Sequence, residues 1–306
     1  MKILVATEKP FAPVAISLIR KVTDREGHEL VLLENYRDVS ELLTAVADAE
    51  ALIVRSDKVT ADVLNAAKKL KIVVRAGAGY DNLDLEACTA HNVVAMNTPG
   101  QNSNAVAELA FEMMLYHARG GFGGKSGTEL RGKTLGLHAF GNVGKYMAEI
   151  GRGFGMELFA FDPFVGEEEM KIAGVTPCAT PEELYSKCRY VSLHMPANEK
   201  TKKSVGNNLL KIMPEDAVLV NTARKEVIDE EALLKIFEER TDLSYLSDVE
   251  PDTKAVFEEK YKGRFIFTAK KMGAQTEEAN INAGVAAAKQ IAEYFSTGNE
   301  KFRVNK

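Results

Sequence analysis

The sequence of 306 residues is poor in cysteine and has no long apolar run. Its three cysteines, Cys88, Cys178 and Cys188, cannot all pair, and none has the spacing of a metal-ligand set. We therefore expect reduced thiols that take no part in the chemistry, and no metal site. No apolar stretch reaches the length of a bilayer span, and the chain opens as a strand without a signal-peptide pattern. These absences predict a cytoplasmic protein that does not enter a membrane.

A basic surface field is also missing. The formal net charge is -5, and the lysines are scattered among acidic residues instead of forming a cluster. Proteins that bind nucleic acid need a concentrated positive field. The charge pattern therefore predicts no nucleic-acid partner and favours a small-molecule ligand. With 45% hydrophobic residues, a chain of this length can bury two substantial cores, which predicts two domains.

Short apolar runs alternate with helical patterns along almost the whole chain. One alternating set runs from Ile3 to Val74, and a second runs from Thr134 to Thr268. Such alternation is typical of parallel sheets covered by helices. An alanine-rich helical stretch and the glycine-rich connection 120–127 separate the two sets. The expected fold class is α/β, with two doubly wound parallel-sheet (Rossmann-like) domains and a cleft between them.

The last part of the sequence has one long helical pattern. It runs from Glu277 to about Phe295, with Thr276 as a suitable N-cap and Gly298 as a suitable stop. Its alanine-rich face is expected to pack on the N-terminal set of strands and helices.

The most informative segment is a strand, a glycine turn, a helix and a second strand that ends in an acid. The turn is the dinucleotide pattern G-x-G-x-x-G with Ala139 in place of the first glycine. Such a turn lets the amino end of a helix approach a pyrophosphate, because free N–H groups and the helix dipole favour anions there. The acid can bind ribose hydroxyls and would repel a 2′-phosphate, which favours NAD over NADP. A crossover turn that binds nothing would also have paired glycines, but the flanking strand and the acid favour the cofactor. The cofactor-binding candidates are Phe140, Gly141, Asn142, Val143 and Asp162.

Charged side chains follow three strands of the second set. Arg224 follows one strand, Asp248 and Glu250 follow the next, and Lys270 and Lys271 follow the third. Ligands bind at this carboxyl edge of open α/β sheets. An arginine can hold and polarise a 2-keto acid through two hydrogen bonds, and a carboxylate can tune a neighbouring proton donor. The set therefore predicts hydride transfer to a 2-keto acid.

Further motifs follow one another in a fixed order along nearly the whole chain. They are Val74-Arg75-Ala76-Gly77-Ala78-Gly79-Tyr80-Asp81-Asn82, Met96-Asn97-Thr98-Pro99-Gly100-Gln101-Asn102, Val106-Ala107-Glu108-Leu109, Gly132-Lys133-Thr134-Leu135-Gly136, His194-Met195-Pro196, Asn221-Thr222-Ala223-Arg224 and Asp248-Val249-Glu250-Pro251. In this order the sequence resembles the D-isomer-specific 2-hydroxyacid dehydrogenases. The resemblance implies an NAD-binding domain inserted into a substrate-binding domain, a homodimer, and catalysis by an arginine, a glutamate and a histidine.

The resemblance also implies domain boundaries and site residues. The substrate-binding domain would be residues 1–98 and 275–306, and the NAD-binding domain would be residues 99–274. Arg224 and Glu250 match the catalytic arginine and glutamate of the family, although the loop from Asp248 to Glu250 is shorter than usual. Beyond the glycine turn, the implied cofactor contacts are His194, Pro196, Thr201, Thr222, Ala223, Asp248, Gly273 and Ala274.

The catalytic histidine of the family has no match in this sequence. The last histidine is His194, and lysine stands in the catalytic position. Counting forward from Thr268 gives Lys270, whereas counting back from Gly273 gives Lys271. Adjacent extended residues point to opposite sides, so only one can face the substrate, and we favour Lys270. A protonated lysine can donate a proton during reduction, but an ordinary pKa of ~10.4 makes it a poor base at pH 7.

A glycine turn and two strand-end arginines suggest a substrate site in the first set. The N–H groups of the glycine turn could bind a carboxylate, and the arginines could bind a phosphate. Surface ion pairs would explain either arginine alone, but two beside a glycine turn favour a ligand. The resemblance implies a small phosphorylated 2-hydroxy acid, with oxidation of D-3-phosphoglycerate to 3-phosphohydroxypyruvate as the reaction. The substrate-binding candidates are Arg55, Ser56, Arg75, Gly77, Ala78 and Gly79.

Two other functions stay open at this point. Reduction of glyoxylate, hydroxypyruvate or another 2-keto acid would need no phosphate group, so Arg55 would not affect the Michaelis constant. A non-catalytic NAD-sensing binding protein would account for the missing histidine, although Arg224 and Glu250 are both present. The sequence leaves the choice between Lys270 and Lys271, and among D-2-hydroxy acids, to the structure and to experiment.

Overall fold

A computed structural model describes residues 1–305 of the chain. They divide into two compact units: Met1–Asn102 together with the segment from Gln275 onward, and the continuous segment Ser103–Ala274.

The first unit contains a five-stranded sheet. Its elements up to Asn97 are β1 (Lys2–Thr7), α1 (Pro13–Arg25), β2 (Glu29–Glu34), α2 (Val39–Val46), β3 (Ala51–Val54), α3 (Ala61–Ala66), β4 (Ile72–Arg75), α4 (Leu85–Ala90) and β5 (Val94–Asn97). The strand order is β2-β1-β3-β4-β5, and all pairs are parallel. Strands β3 and β5 are buried along their whole length, as expected for a parallel sheet covered on both faces.

The second unit contains a seven-stranded sheet. Its elements are α5 (Ser103–Ala118), β6 (Thr134–His138), α6 (Asn142–Gly153), β7 (Glu157–Phe161), α7 (Glu167–Ile172), β8 (Thr176–Pro177), α8 (Pro181–Lys187), β9 (Tyr190–Leu193), α9 (Asn207–Leu210), β10 (Val218–Asn221), α10 (Glu230–Glu239), β11 (Ser244–Ser247), α11 (Lys254–Lys260) and β12 (Phe265–Phe267). Short 3₁₀ turns lie at Gly120–Phe122 and Lys225–Val227. The strand order is β12-β11-β10-β9-β6-β7-β8, again with parallel pairs throughout.

The long helix α12 (Glu277–Thr297) returns the chain to the first unit, where it packs on α1. Thr276 caps it by accepting a hydrogen bond from the Ala279 N–H, and Gly298 ends it in a left-handed conformation with φ 72°. This helix is confirmed. Close packing depends on Gly284, since a Cβ there would lie 2.9 Å from the Phe11 ring.

Both sheets have apolar clusters on their two faces, so each unit has its own core. The predicted fold class, two parallel-sheet α/β domains, is confirmed. The three cysteines are buried and form no disulfide among residues 1–305. Within the same residues, no helix is both long and apolar enough to cross a bilayer.

Candidate active site

The glycine turn joins the carboxyl end of β6 to the amino end of α6. Gly141 is the N-cap of α6, and a Cβ built on it would meet no atom within 4 Å, so the turn can be approached closely. A Cβ on Gly144 would lie 2.6 Å from the Ala139 carbonyl oxygen, which explains why glycine is needed there. Ala139 itself has φ 85°, a left-handed conformation that favours glycine. The first turn of α6, with Asn142 and Val143, therefore presents backbone N–H groups to an anion.

Asp162, the acid predicted to bind the ribose, accepts hydrogen bonds from two backbone N–H groups. Its Oδ2 accepts a hydrogen bond from the Phe140 N–H at 2.8 Å, and its Oδ1 accepts one from the Phe164 N–H at 2.8 Å. Each carboxylate oxygen keeps a second lone pair for a ribose hydroxyl. The Phe140 side chain is fully buried, and its N–H is used by Asp162. Phe140 therefore supports the turn and does not offer a donor to a ligand.

Buried polar atoms without a partner mark the carboxyl ends of β9 and β10. Within residues 1–305, His194 Nε2 and Thr222 Oγ1 are buried and make no hydrogen bond. Burial lowers the pKa of His194 to about 3 and that of nearby His138 to about 4, so both rings are neutral at pH 7. Buried polar atoms normally have a partner. Two unpartnered atoms at this edge therefore fit a polar ligand such as the nicotinamide end of a dinucleotide.

The remaining predicted cofactor contacts in this region serve local turns. Thr201 Oγ1 donates to the Pro196 carbonyl oxygen at 2.5 Å and accepts from the Asn198 N–H at 2.8 Å. Asn221, which the sequence analysis missed, accepts from the Ala223 N–H through its side chain and donates to the Arg224 carbonyl oxygen, both at 3.0 Å. An asparagine at a strand end is the usual signal for such a turn. It fixes the backbone beside the predicted catalytic arginine.

Asp248 was expected to contact the cofactor, but its carboxylate is fully buried and bound by protein groups. Its Oδ1 accepts hydrogen bonds from Thr268 Oγ1 at 2.9 Å and from the Met272 N–H at 2.7 Å. Its Oδ2 accepts from the Gly273 N–H at 2.8 Å. These three donors flank the two lysines, so Asp248 fixes the segment that carries them. Ala274 follows directly and ends the second unit.

Lys271 and Arg224 meet at one carbonyl oxygen. Lys271 Nζ donates to the Ala223 oxygen at 3.0 Å, and Arg224 Nη1 donates to the same oxygen at 3.0 Å. Because each nitrogen is 3.0 Å from that oxygen, the two cationic groups lie no more than about 6 Å apart. Lys270 is exposed and makes no hydrogen bond or ion pair with any described residue.

The structure brings Lys271 to Arg224, whereas the sequence analysis favoured Lys270. The physical reason is the anchoring of Met272 and Gly273 by Asp248, which sets the register of the segment from its C-terminal side.

Glu250 lies at the same edge of the sheet, on the turn after β11. Its carboxylate pairs with Lys254, four residues later on α11, and Lys254 also reaches Glu258. Both members of the first pair have 39% of their side-chain surface exposed. The structure therefore pairs Glu250 with a third lysine and with neither Lys270 nor Lys271 within the described residues.

In the first unit, the Arg55 guanidinium is held by the protein. Nη1 donates to the carbonyl oxygens of Lys9 and Pro10, both at 3.2 Å, and Nη2 donates to Asn280 Oδ1. The group also lies over the Phe11 ring, 5.0 Å from its centre. These contacts tie β3 to α12, so much of the hydrogen-bonding capacity expected for a phosphate is already used.

Arg75 and Gly77 are packed against each other. A Cβ on Gly77 would lie 1.8 Å from Arg75 Nη1, and Gly77 has φ +155°, so the position requires glycine. The Gly77 N–H donates to the Arg75 carbonyl oxygen at 2.9 Å and is not available to a ligand. Ala78 and Gly79 make no backbone N–H hydrogen bond with any described residue, so their donors remain for a carboxylate. Ser56 is exposed at the end of β3.

The family model for "D-isomer specific 2-hydroxyacid dehydrogenase, catalytic domain" matches residues 3–305. The chain belongs to the D-isomer specific 2-hydroxyacid dehydrogenases. The family predicted from the sequence motifs is thereby confirmed, and these dehydrogenases are oxidoreductases. Within the described residues no cluster of histidine, cysteine or acidic side chains could hold a metal ion.

Several known members of the family are similar to this chain. The solved structure of NAD+-bound 3-phosphoglycerate dehydrogenase from Entamoeba histolytica is 48% identical, has a TM-score of 0.86, and is matched over 100% of this chain and 99% of that one. D-3-phosphoglycerate dehydrogenase from Methanocaldococcus jannaschii is 35% identical over 272 residues, which are 82% of this chain and 51% of that protein. Hydroxypyruvate reductase from Thermotoga maritima is 33% identical over 283 residues, 86% of this chain and 90% of that protein. The chain thus spans about half the length of the M. jannaschii enzyme and most of the T. maritima enzyme.

Proposed function

We propose that this chain oxidises D-3-phosphoglycerate to 3-phosphohydroxypyruvate with NAD, and catalyses the reverse reaction, as the first step of serine biosynthesis. The observation that carries the proposal is the pair of cations, Lys271 Nζ and Arg224 Nη1, on the Ala223 oxygen. Similarity over the full chain to the NAD+-bound enzyme of E. histolytica supports the substrate and the cofactor.

NAD would be held by the second unit, and the first unit would bind the substrate. The sequence motifs place the NAD-binding domain at residues 99–274 and the substrate-binding domain at residues 1–98 with 275–306, whereas the first compact unit extends to Asn102. The amino end of α6 suits the pyrophosphate, Asp162 suits a ribose, and the unpartnered atoms of His194 and Thr222 suit the carboxamide end. When bound, NAD supplies the acceptor for the hydride that leaves C2 of the hydroxy acid.

The proton chemistry falls to side chains of this chain. Arg224 would hold the substrate carboxylate and C2 oxygen through its planar fork of donors. Lys271 in its deprotonated form would take the hydroxyl proton during oxidation, and as an ammonium it would return that proton during reduction. Glu250, which is paired with Lys254, would take the place of the family glutamate at the same edge of the sheet.

Two matched variants test the assignment of the lysine. Lys271→Met should lower kcat roughly 100-fold or more, because a positioned acid–base group contributes about that much. Lys270→Met removes the amine of the residue directly before Lys271, which makes no described hydrogen bond or ion pair, and should leave kcat within a few-fold of the parent. NADH consumption with phosphohydroxypyruvate measures both. A larger loss in the Lys270 variant would overturn the assignment.

The pH profile gives a second test. An amine can act as a base only when deprotonated, and its ordinary pKa is ~10.4, so oxidation should speed up from neutral into alkaline pH. Reduction needs the ammonium and should not share this rise. A flat profile of oxidation between neutral and alkaline pH would contradict a lysine base.

Reduction of hydroxypyruvate or glyoxylate is a second candidate function, and two observations favour it. The similar T. maritima protein is a hydroxypyruvate reductase matched over most of its length, and the Arg55 guanidinium is bound by Lys9, Pro10 and Asn280. Assays with hydroxypyruvate and with phosphohydroxypyruvate separate the two. If Arg55→Ala raises the Michaelis constant for the phosphorylated substrate alone, the phosphate is bound there.

We also propose that the chain forms a homodimer and that it is cytoplasmic. Light scattering of the purified chain should give twice the mass of 33.5 kDa. If NAD binds tightly but neither keto acid is reduced, the chain is a binding protein and the proposed dehydrogenase function is wrong.

A further inference from the structure

We propose that an open cleft at the amino edge of the seven-stranded sheet binds a small carboxylate. The cleft has a volume of about 330 Å³ and lies where β9, β10 and β11 begin. The candidate active site lies at the carboxyl ends of the same strands. Because β9 and β10 are four residues long and a strand rises ~3.3 Å per residue, the two edges are more than about 10 Å apart. The cleft is therefore a separate site, and the proposal does not rest on the function proposed above.

Two almost fully buried side chains bring unused hydroxyl groups to the cleft. Tyr190 begins β9 and Ser244 begins β11, and only 1% and 6% of their surfaces are exposed. Both are register partners of Val218, the first residue of β10, so the two side chains project from the same face of the sheet. Neither hydroxyl makes a hydrogen bond with any described residue. Since buried polar groups normally have a partner, these two donors indicate a place for a polar ligand.

The positive charge of the cleft comes from Arg189, the residue directly before β9. Its Nη2 donates to Asp216 Oδ2 at 3.4 Å, whereas its Nε is buried without a partner and its Nη1 makes no hydrogen bond with the described part of the chain. The Arg189 backbone N–H donates to Thr134 Oγ1 at 2.8 Å, which fixes the main chain. A guanidinium has five N–H donors, and this one makes a single long hydrogen bond. Most of its capacity to bind a carboxylate is therefore unused.

His117, near the end of α5, adds a further donor to the same cleft. Burial and the nearby Arg189 charge lower the pKa of its imidazole, so the ring is mainly neutral at pH 7. A neutral imidazole still has one N–H to donate. The ring makes no hydrogen bond with a residue that the structure describes, which leaves this N–H for a ligand.

The carboxylates of the cleft set the charge of the ligand. Asp242 is paired with Arg240, so its negative charge is already compensated. Asp216 stays beside Arg189, but 62% of its side chain is exposed, and its contact with the guanidinium is long. With one carboxylate already near the guanidinium, a ligand with one negative charge is favoured over a ligand with two.

Nuclear magnetic resonance of the full chain labelled with ¹⁵N-histidine tests the site at neutral pH. Sodium acetate is the probe, and sodium chloride at equal ionic strength is the control. We expect acetate to shift the ring signals of His117 in a saturable way and to leave those of the exposed His91 unchanged, because only His117 lies in the cleft. Sodium sulfate, whose anion carries two charges, should bind more weakly than acetate.

Substitutions of single side chains locate the bound acetate. Arg189→Met removes the guanidinium and should weaken acetate binding about tenfold or more, since hydrogen bonds between charged groups are the strong ones. Arg25→Met is the matched control, because Arg25 is 86% exposed in the first unit, and binding should not change. Tyr190→Phe removes one hydroxyl group and should weaken binding a few-fold. This second variant keeps the test valid if Arg189→Met does not fold.

Three outcomes would overturn the proposal. They are ring signals of His117 that respond equally to acetate and chloride, an acetate affinity that Arg189→Met and Tyr190→Phe leave unchanged, and tighter binding of sulfate than of acetate. Acetate bound at the candidate active site is a separate event, so Arg224→Met should leave the response of His117 as it is. The measurement involves no turnover of a keto acid, and its outcome is independent of the proposed function.

Discussion

At the scale of single residues, Ala139 has an unfavourable backbone conformation that the motif alone does not indicate. The sequence suggests that alanine at the first glycine position adds only a methyl group. In the structure that residue has φ 85°, where an L-residue costs about 1–2 kcal/mol because its Cβ crowds the carbonyl oxygen. The cost is therefore one of backbone conformation and not of space around the side chain.

Ala139→Gly should for this reason stabilise the protein. Glycine relieves the strain but adds freedom to the unfolded chain, so we expect a net gain of about 0.5–1 kcal/mol in the free energy of unfolding. Urea unfolding followed by circular dichroism measures it.

Gly144→Ala is the matched variant with the opposite sign. Its new Cβ would lie 2.6 Å from the Ala139 carbonyl oxygen, and such overpacking typically costs about 1–3 kcal/mol. A loss of stability in both variants would mean that Ala139 is not strained.

Other residues show where spacing along a sequence stops being informative. The motifs placed Arg224 and the lysines at one sheet edge, and the structure brings Lys271 to Arg224. The choice between two adjacent lysines depended on hydrogen bonds from Met272 and Gly273 to Asp248, which no local pattern encodes. Arg55 lies directly after a strand, as the sequence indicated, but the residues that accept its hydrogen bonds lie 45 to 225 positions away along the chain.

At the scale of elements, the segment between β12 and α12 depends on one buried carboxylate. Asp248→Asn replaces one carboxylate oxygen by an NH₂ group, so only the remaining oxygen can still accept hydrogen bonds. We expect a loss of about 1–3 kcal/mol in the free energy of unfolding, since a buried donor is left unpaired. Amide exchange of Met272 and Gly273 should also become faster in the native state.

Thr268→Val is the control for that prediction. It removes the bonds from Thr268 Oγ1 to Asp248 Oδ1 and to the Asp248 carbonyl oxygen, and it leaves the bond from the Gly273 N–H to Oδ2 in place. Exchange at Gly273 should then stay near the parent rate. If both variants speed it equally, Asp248 is not what anchors the lysine segment.

The outer edge of β5, which Arg303 and Val304 cover, gives a second prediction about an element. Asn305 is buried, and its side chain accepts from the Ala95 N–H at 2.8 Å and donates to the Val93 oxygen at 2.9 Å and to Thr89 Oγ1 at 3.1 Å. Asn305→Ala should lower the free energy of unfolding by about 1–3 kcal/mol and expose the Ala95 amide to exchange. The exposed Asn299 of the same segment is the control, and its change to alanine should have little effect.

At the scale of the whole molecule, alternation of strands and helices was enough to predict two parallel sheets. Strands β3, β5, β9 and β10 are buried along their whole length, which gives the continuous apolar runs typical of parallel sheets. Strand order was not predictable in the same way. It depends on which helices cover which face, and in the second unit β9 pairs with β6 across two intervening strands of the chain.

Stability of the second unit should fall as the solution is acidified below pH ~6.5, the ordinary pKa of histidine. Burial lowers the pKa of His138 to about 4 and that of His194 to about 3, so the folded protein keeps both rings neutral. The unfolded chain binds these protons first, and stability present above pH ~6.5 is lost progressively toward pH ~4.

His138→Gln should make this loss less steep by up to about 1.4 kcal/mol per pH unit, the limit for one titrating group. Glutamine retains a polar group opposite the Tyr185 hydroxyl, which now lies 3.1 Å from His138 Nδ1. Urea unfolding at several pH values from about 4.5 to about 7.5 measures how steeply the free energy of unfolding changes with pH. The exposed His91 is the control, and its change to glutamine should leave the slope as it is. If the free energy of unfolding changes equally steeply with pH in the parent and in the His138 variant, the pKa of His138 is not lowered in the folded protein.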